Sequence, residues 1–153
     1  MSMKTKLSSQ MEDYLEAIYQ LCRDEGVARV KAIAGRLEVS NPSVVGAIRK
    51  LKGRNLVAQE PYGYVRLTVE GEKIAGAVTH RHEVLSEFLK DILGLDLETA
   101  SMDACKIEHA VSPETVRRLR AVAEFIKKEP QINLDWKKEF RRFYQEYVGG
   151  DSR

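Results

Sequence analysis

Apolar residues recur at helical spacing near the start of the chain. From residue 9 to 24 they stand at positions 11, 14, 15, 18, 21 and 22, which is the stripe of an amphipathic helix. Ser9 is the predicted N-cap, because serine is favoured where a helix begins. Cys22 belongs to the stripe, so we interpret it as a core residue and not as a ligand.

Two shorter helical segments follow, joined by a turn. Val30 to Leu37 predicts one helix, and Asn41-Pro42 predicts the start of the next, with Asn41 as N-cap and proline at the first helical position. The predicted buried face of this third helix consists of Val44, Val45, Ile48 and Leu51. Two short helices around a four-residue turn, the second of them basic, are typical of a helix-turn-helix.

A β-hairpin is predicted directly after the basic helix. Leu56–Glu60 and Val65–Val69 are short β-prone runs, and the loop Pro61–Tyr64 between them contains glycine. A hairpin in this place is the wing of a winged helix-turn-helix. The pattern therefore predicts a complete DNA-reading module that ends near residue 68.

The second half of the chain is helical in pattern. One helix is predicted from Val69 to Leu93, where Gly94 stops it, a second near residues 97–110, and a third from Ser112-Pro113 to Lys128. Their apolar surface exceeds what one short chain is able to bury, which favours a homodimer.

A further helix is predicted at the end of the chain. Its aromatic residues recur at helical spacing and are Trp136, Phe140, Phe143, Tyr144 and Tyr147. They predict an amphipathic helix that docks on the body of the protein or on a partner subunit.

Composition restricts the class of protein. The 153 residues suffice for one ordinary domain or two small ones. No apolar run approaches the roughly 18 residues of a membrane span, and the N-terminus has no secretory pattern. Two cysteines argue against a disulfide framework and fit a reducing cytosol, so we expect a cytoplasmic protein without a membrane partner.

Positive charge is concentrated in the predicted helix-turn-helix. Seven basic residues and one acid lie between Arg29 and Arg54, which gives this window a charge of +6 in a chain of net charge +2. Such a distribution is typical of a phosphate binder, although a solvated helical face would give the same count.

The segment Cys105-Lys-Ile-Glu108-His109 carries the chemistry of a metal site. Positions i, i+3 and i+4 of a helix share one face, so Cys105, Glu108 and His109 point at one spot. Thiolate, carboxylate and imidazole are common ligands of divalent transition metals.

Three more candidate ligands lie elsewhere. Asp13 and Glu16 are i, i+3 neighbours opposite the apolar stripe of the first helix, and His82 lies in the long fourth one. In isolation each also fits a solvated helix surface. Taken together with Cys105, Glu108 and His109, they would let one ion clamp the DNA module to the helical body, which is a physical switch.

At these residues the chain resembles the diphtheria toxin repressor and manganese transport regulator family. The resemblance covers roughly residues 9–128 and rests on Met-Glu-Asp-Tyr-Leu-Glu-Ala-Ile-Tyr, the helix-turn-helix, Arg-His-Glu-Val-Leu around His82, and Asp-Ala-Cys-Lys-Ile-Glu-His-Ala-Val-Ser. It implies a homodimeric, metal-activated repressor of metal-homeostasis genes that binds a palindromic operator in double-stranded DNA.

The metal ligands of the chain combine two branches of that family. Manganese-type members resemble it at Asp13 and Glu16 but have glutamate where Cys105 stands, whereas iron-type members share the cysteine and have methionine where Asp13 stands. The cofactor is therefore expected to be Fe²⁺ or Mn²⁺, with Co²⁺, Ni²⁺ and Zn²⁺ as surrogates. The thiolate favours Fe²⁺.

The DNA-reading surface also departs from the family. Gly46 stands where relatives present a longer polar side chain, so much of the affinity is expected to come from phosphate contacts and to depend on salt. The candidate DNA contacts are Arg29, Lys31, Ser40, Asn41, Ser43, Arg49, Lys50, Lys52 and Arg66.

The predicted fold class is mainly α, in three segments. Residues 1–68 form the winged helix-turn-helix, residues 69–130 an all-helical metal-binding and dimerisation domain, and residues 131–153 an amphipathic helix and tail. Two other functions fit parts of the sequence: a winged-helix regulator that responds to a non-metal ligand, and a metalloenzyme. The second is disfavoured because His82-Glu83 lacks the second histidine of the zinc-protease pattern. We therefore expect no enzymatic activity.

Overall fold

The computed structural model describes residues 6–129 and 135–150. The N-terminal residues considered for a secretory pattern and the predicted boundary near residue 130 lie largely outside this part. The chain divides into two compact units, with the boundary between Thr79 and His80. No helix among the described residues is long and apolar enough to cross a membrane.

The first unit is a winged helix-turn-helix, as predicted. Its elements are α1 (Ser9–Glu25), β1 (Ala28–Arg29), α2 (Val30–Leu37), α3 (Asn41–Gly53), β2 (Val57–Gln59), β3 (Tyr64–Leu67) and the first part of α4 (Val69–Glu87). The strands form an antiparallel sheet in the order β1-β3-β2. We call β2, the tight turn Pro61–Gly63 and β3 the wing.

Apolar residues of all three N-terminal helices and the sheet form the core of this unit. Leu15, Ile33, Leu51 and Val65 are among its fully buried side chains. Cys22 packs against this core, its thiol lies 3.7 Å from the Val65 carbonyl, and burial raises the pKa of that thiol. Cys22 is half-buried against this core, which agrees with its predicted place on the apolar stripe of α1.

Both predicted N-caps of this unit were wrong by one residue. Ser8, not Ser9, caps α1 and accepts a hydrogen bond from the Met11 backbone nitrogen. Ser40, not Asn41, caps α3 and accepts one from the Ser43 backbone nitrogen. Two adjacent polar residues were candidates for each cap. The N-cap is the residue that has an extended backbone and whose side-chain oxygen accepts a hydrogen bond from a backbone N–H two or three residues ahead.

The buried face of α3 also differs from the prediction at one position. Val44, Ile48 and Leu51 are buried as expected, but Val45 is 45% exposed and Ala47 takes its place in the core. A helix turns by 100° per residue, so Val45 lies at the flank of the stripe that the other residues define. The outer surface of the basic helix therefore has an apolar side chain beside Gly46.

The second unit is helical. It contains the end of α4, a π-helical turn (Phe88–Ile92), α5 (Leu97–Ile107), α6 (Pro113–Lys128) and α7 (Trp136–Gly150). Ser112 caps α6, as predicted. The long predicted helix ends in the π-helical turn, and Gly94 follows it with φ +76°. The helix predicted over residues 97–110 ends at Ile107.

The aromatic helix α7 is attached to the π-helical turn. The Trp136 indole nitrogen donates a 2.7 Å hydrogen bond to the Ile92 carbonyl, and Lys137 donates to Asp91 at 3.0 Å. Partial burial acts to raise the pKa of Asp91, but the Lys137 hydrogen bond and the lysines around it outweigh burial and lower that pKa. Phe143 and Tyr147, farther along α7, are exposed.

Replacing Trp136 with phenylalanine is expected to loosen this attachment. Phenylalanine keeps an aromatic ring but leaves the Ile92 carbonyl without its donor, a loss of about 1 kcal/mol. In a chain of this size that lowers the melting temperature by roughly 2–4 °C. Tyr147→Phe is the matched control, because it removes a polar group from an exposed ring. Equal melting of both variants would contradict the assigned role of Trp136.

Candidate metal centre and DNA-reading surface

The candidate metal centre is built around a buried carboxylate. Glu108 directly follows α5 as its C-cap residue, and its backbone keeps helical angles (φ −56°, ψ −30°). Its side chain therefore stays in the helical register of Cys105, as the spacing predicted. The residue is 1% exposed. A buried carboxylate destabilises the fold unless opposite charge or hydrogen bonds compensate it.

Two histidines flank this carboxylate. His82, on α4, places Nδ1 2.8 Å from Glu108 Oε2, within hydrogen-bond distance. His109 places Nε2 3.4 Å from Glu108 Oε1. The Cys105 sulfur lies 3.6 Å from His82 Nδ1. The structure thus brings four of the six predicted ligands together within the second unit.

The cluster has the size that a transition metal requires. The ligand atoms of His82, Cys105 and Glu108 all lie within 4.8 Å of one another. Such ions bind nitrogen, oxygen and sulfur at about 2.0–2.3 Å, so ligand atoms on opposite sides of one ion lie at most about 4.6 Å apart. Small side-chain adjustments would therefore bring all three onto one centre.

Glu108 Oε1 has no hydrogen bond within the described protein, and its ion-pair contact is His109 Nε2 at 3.4 Å. This oxygen is buried. A histidine–carboxylate pair such as His82–Glu108 is also common in proteins without a metal site, but here it involves only the other oxygen, Oε2. Because native proteins rarely bury a carboxylate oxygen without a hydrogen-bond donor, this atom is suited to binding a cation.

The other two predicted ligands lie in the first unit. Asp13 and Glu16 are half-buried neighbours on α1. The Gln20 amide donates a 3.2 Å hydrogen bond to Glu16 Oε1. Both residues remain predicted ligands on the strength of the sequence.

The predicted DNA contacts divide into side chains at the surface and side chains that support the helix. Lys31, Arg49, Lys50 and Lys52 are exposed and make no ion pair within the described chain. Asn41 is exposed at the start of α3. The Ser40 and Ser43 hydroxyls lie 2.8 Å apart at the N-cap, so both already take part in holding the end of α3 that would enter the groove.

The remaining two predicted contacts belong to the sheet. Arg29 is the register partner of Tyr64 in the β1–β3 pair, lies 5.0 Å over its ring and donates a 3.0 Å hydrogen bond to its hydroxyl. Arg66 forms an ion pair with Glu60 at 3.2 Å. The sequence did not indicate the support from Tyr64, because a two-residue strand such as β1 leaves no periodic signal.

Both halves of the chain match models of one protein family. Residues 6–65 match the iron dependent repressor N-terminal DNA binding domain. Residues 68–137 match the iron dependent repressor metal binding and dimerisation domain. The boundary between the two matches is close to the predicted end of the winged module.

Relatives of known kind support this match. The transcriptional regulator MntR of Shouchella clausii is 36% identical over 86% of this chain and 91% of its own length. The diphtheria toxin repressor of Corynebacterium glutamicum is 37% identical over 78% of this chain and 52% of its own. A solved manganese-dependent transcriptional repressor in complex with manganese superposes with a TM-score of 0.69 at 32% identity, over 78% of this chain and 55% of that one. The chain thus spans about half the length of the last two and nearly all of the first.

Proposed function

We propose that this chain, which belongs to the iron-dependent repressor family of transcriptional regulators, is a repressor that binds DNA when it holds a divalent metal ion. The first unit would bind the DNA, and the cluster around Glu108 in the second would bind the metal. The observation that supports the metal most directly is the buried, unsatisfied Oε1 of Glu108.

His82, Cys105, Glu108 and His109 would hold the ion, and the sequence adds Asp13 and Glu16 to the proposed set. The positive charge of the ion would compensate the negative charge of the buried Glu108 carboxylate. The His82 ring nitrogen that binds the ion must carry no proton, so the ring must be neutral in the metal-bound state. Cys105 must be a thiolate for the same reason. Acid is therefore expected to weaken metal binding.

The physiological metal is proposed to be Fe²⁺ or Mn²⁺. The solved repressor named for manganese is 32% identical to this chain, the diphtheria toxin repressor is 37% identical, and the family model that matches the chain is named for iron. The residues favour Fe²⁺, because Cys105 contributes a soft thiolate to a cluster that otherwise contains imidazole and carboxylate.

A homodimer on a palindromic operator is the proposed assembly. The second family model describes a dimerisation domain, and two identical reading helices related by a twofold axis match two half-sites of inverted sequence. Exposed apolar residues on α5 and α6, among them Met102 and Phe125, supply surface that a second subunit would cover.

The first test is the melting temperature of chelator-stripped protein in a series of Mn²⁺, anaerobic Fe²⁺, Co²⁺, Zn²⁺ and Mg²⁺. A ligand that binds the folded state raises its stability, so a real site must shift the melt. Loss of the shift in Cys105→Ala and His109→Ala would assign it to this cluster. No shift with any ion, together with operator binding in the presence of chelator, would favour the regulator that responds to a non-metal ligand.

Operator binding is expected to depend steeply on salt. Binding releases about 0.9 counterion per phosphate contacted, and the outer face of α3 has few long polar side chains for base contacts. Lys50→Ala should therefore reduce the slope of log affinity against log salt by about one for each bound subunit, and by a similar amount on all sequences. Lys106→Ala, on α5, is the control and should leave the slope unchanged. An unchanged slope in Lys50→Ala would remove Lys50 from the proposed contacts.

A further inference from the structure

The tip of the wing carries an aromatic ring that the fold does not use. Tyr62 is 95% exposed, more than any other large apolar residue of the described chain. A ring in this position buries almost no surface within the first unit and leaves its apolar faces in water. The ring therefore packs little against the wing and is accessible to an external partner.

The backbone at Tyr62 is unfavourable for tyrosine. Tyr62 has φ +67° and ψ +18°, and the next residue, Gly63, has φ +75°. Two consecutive positive φ angles are the requirement of a type I′ hairpin turn, where asparagine, aspartate and glycine dominate. Tyrosine in the first of these places breaks a local rule, and no contact within the unit compensates for it. Such positions concentrate at functional sites.

The surroundings of the tip favour a polyanion. Arg66 lies on β3 of the wing, where it pairs with Glu60, the one acid on the wing, and Arg29 lies on β1, which pairs with β3 next to the turn. The Arg29 guanidinium is held against the Tyr64 ring, so its charge has a fixed place. Basic groups beside exposed aromatic rings are a pattern of nucleic-acid-binding surfaces.

We propose that Tyr62 inserts its ring into the minor groove of DNA, next to the major-groove segment that α3 reads. This inference rests on the proposed DNA-binding function and goes beyond it by adding a contact residue and a groove. The helix of a helix-turn-helix fills the major groove, so an element that projects beside it meets the neighbouring backbone and minor groove. Proteins that bind this groove commonly insert apolar side chains there.

The test uses an operator that the Mn²⁺-loaded wild-type chain selects from a random duplex library. Tyr62→Ala is expected to bind it at least tenfold more weakly. A·T pairs flanking the selected sequence are then changed one by one to 2,6-diaminopurine·T, which adds an amino group to the minor groove and leaves the major groove unchanged. At the pair that the ring contacts, this change should weaken the wild type and have no further effect on Tyr62→Ala.

Stability separates loss of the contact from loss of the fold. Tyr62→Gly should melt no lower than the wild type, because glycine adopts positive φ readily, and should still lose DNA affinity. Val69→Ala, which shortens an apolar side chain that is 86% exposed just beyond the wing, is the matched control and should bind as the wild type does.

The outcomes distinguish this inference from the function on which it rests. If the metal-loaded wild type selects no duplex, the proposed function fails. If it selects one and Tyr62→Ala binds with wild-type affinity, the contact is refuted. Equal losses for wild type and Tyr62→Ala at every diaminopurine position would refute the minor-groove placement.

Discussion

Glu108→Gln is expected to abolish the metal-induced rise in melting temperature. At a hundredfold excess of metal over Kd, binding stabilises the wild type by about 2.7 kcal/mol. That corresponds to roughly 5–11 °C for a chain of this size. Glutamine retains the shape of the side chain and a partner for His82 but lacks the negative charge, so the variant should show almost no shift. It should also lose metal-dependent DNA binding.

The metal-free form of this variant should be at least as stable as that of the wild type. Glu108 is buried with one unsatisfied oxygen, and neutralising it removes the cost of burying that charge. An unchanged or higher melting temperature without metal, together with loss of the rise on adding metal, is what a preformed cation site predicts for this variant. If the charge of Glu108 served only to strengthen its contact with His82, Glu108→Gln would instead lower the melting temperature of the metal-free protein.

Glu98→Gln is the matched control, because Glu98 is an exposed carboxylate in the first turn of the same helix, α5. It should keep the full metal shift. If Glu108→Gln kept the full metal-induced rise in melting temperature, the metal would not bind at this cluster. If Glu108→Gln bound operator without metal as tightly as the loaded wild type does, the switch would lie in the charge of Glu108 and not in the ion.

The local half of the metal centre was predictable because helical geometry determines it. Cys105 and Glu108 are three residues apart at the end of one helix, and this spacing alone places them on one face. His82 is different: 26 residues separate it from Glu108, and only the packing of α4 brings the two together. Spacing carries no information about that packing, so the sequence offered His82 only as a separate candidate ligand to be combined with the others.

The errors in the predicted fold have the same origin. The helices and the hairpin followed from periodicity, whereas the caps at Ser8 and Ser40 depended on which of two adjacent polar residues adopts an extended backbone. Strand β1 has two residues and exists because Ala28 pairs with Val65, far along the chain. The exposure of Tyr62 depends on the turn that Gly63 makes possible, which a hairpin pattern does not specify.

Cys105→Glu is expected to change the metal preference of the protein toward Mn²⁺. Manganese favours hard oxygen ligands, whereas thiolate favours the softer ions later in the first transition row. Cys105 is exposed on α5, so a longer side chain is accommodated there without displacing the core. We expect the ratio of Co²⁺ to Mn²⁺ affinity, measured by competitive titration with Co²⁺ as an air-stable substitute for Fe²⁺, to fall at least tenfold.

The chain supplies its own control, because its only other cysteine is Cys22. Cys22 packs against the core of the first unit with a pKa raised by burial, so Cys22→Ser should keep the metal preference. Co²⁺ bound to a thiolate has a charge-transfer absorption band, which Cys105→Glu and Cys105→Ser should lose and Cys22→Ser should retain. If the Co²⁺-loaded wild type showed no such band, the sulfur 3.6 Å from His82 would not be a ligand, and the metal centre would reduce to histidine and carboxylate. The preference for Fe²⁺ would then lose its chemical basis, and Mn²⁺ would become the expected physiological ion.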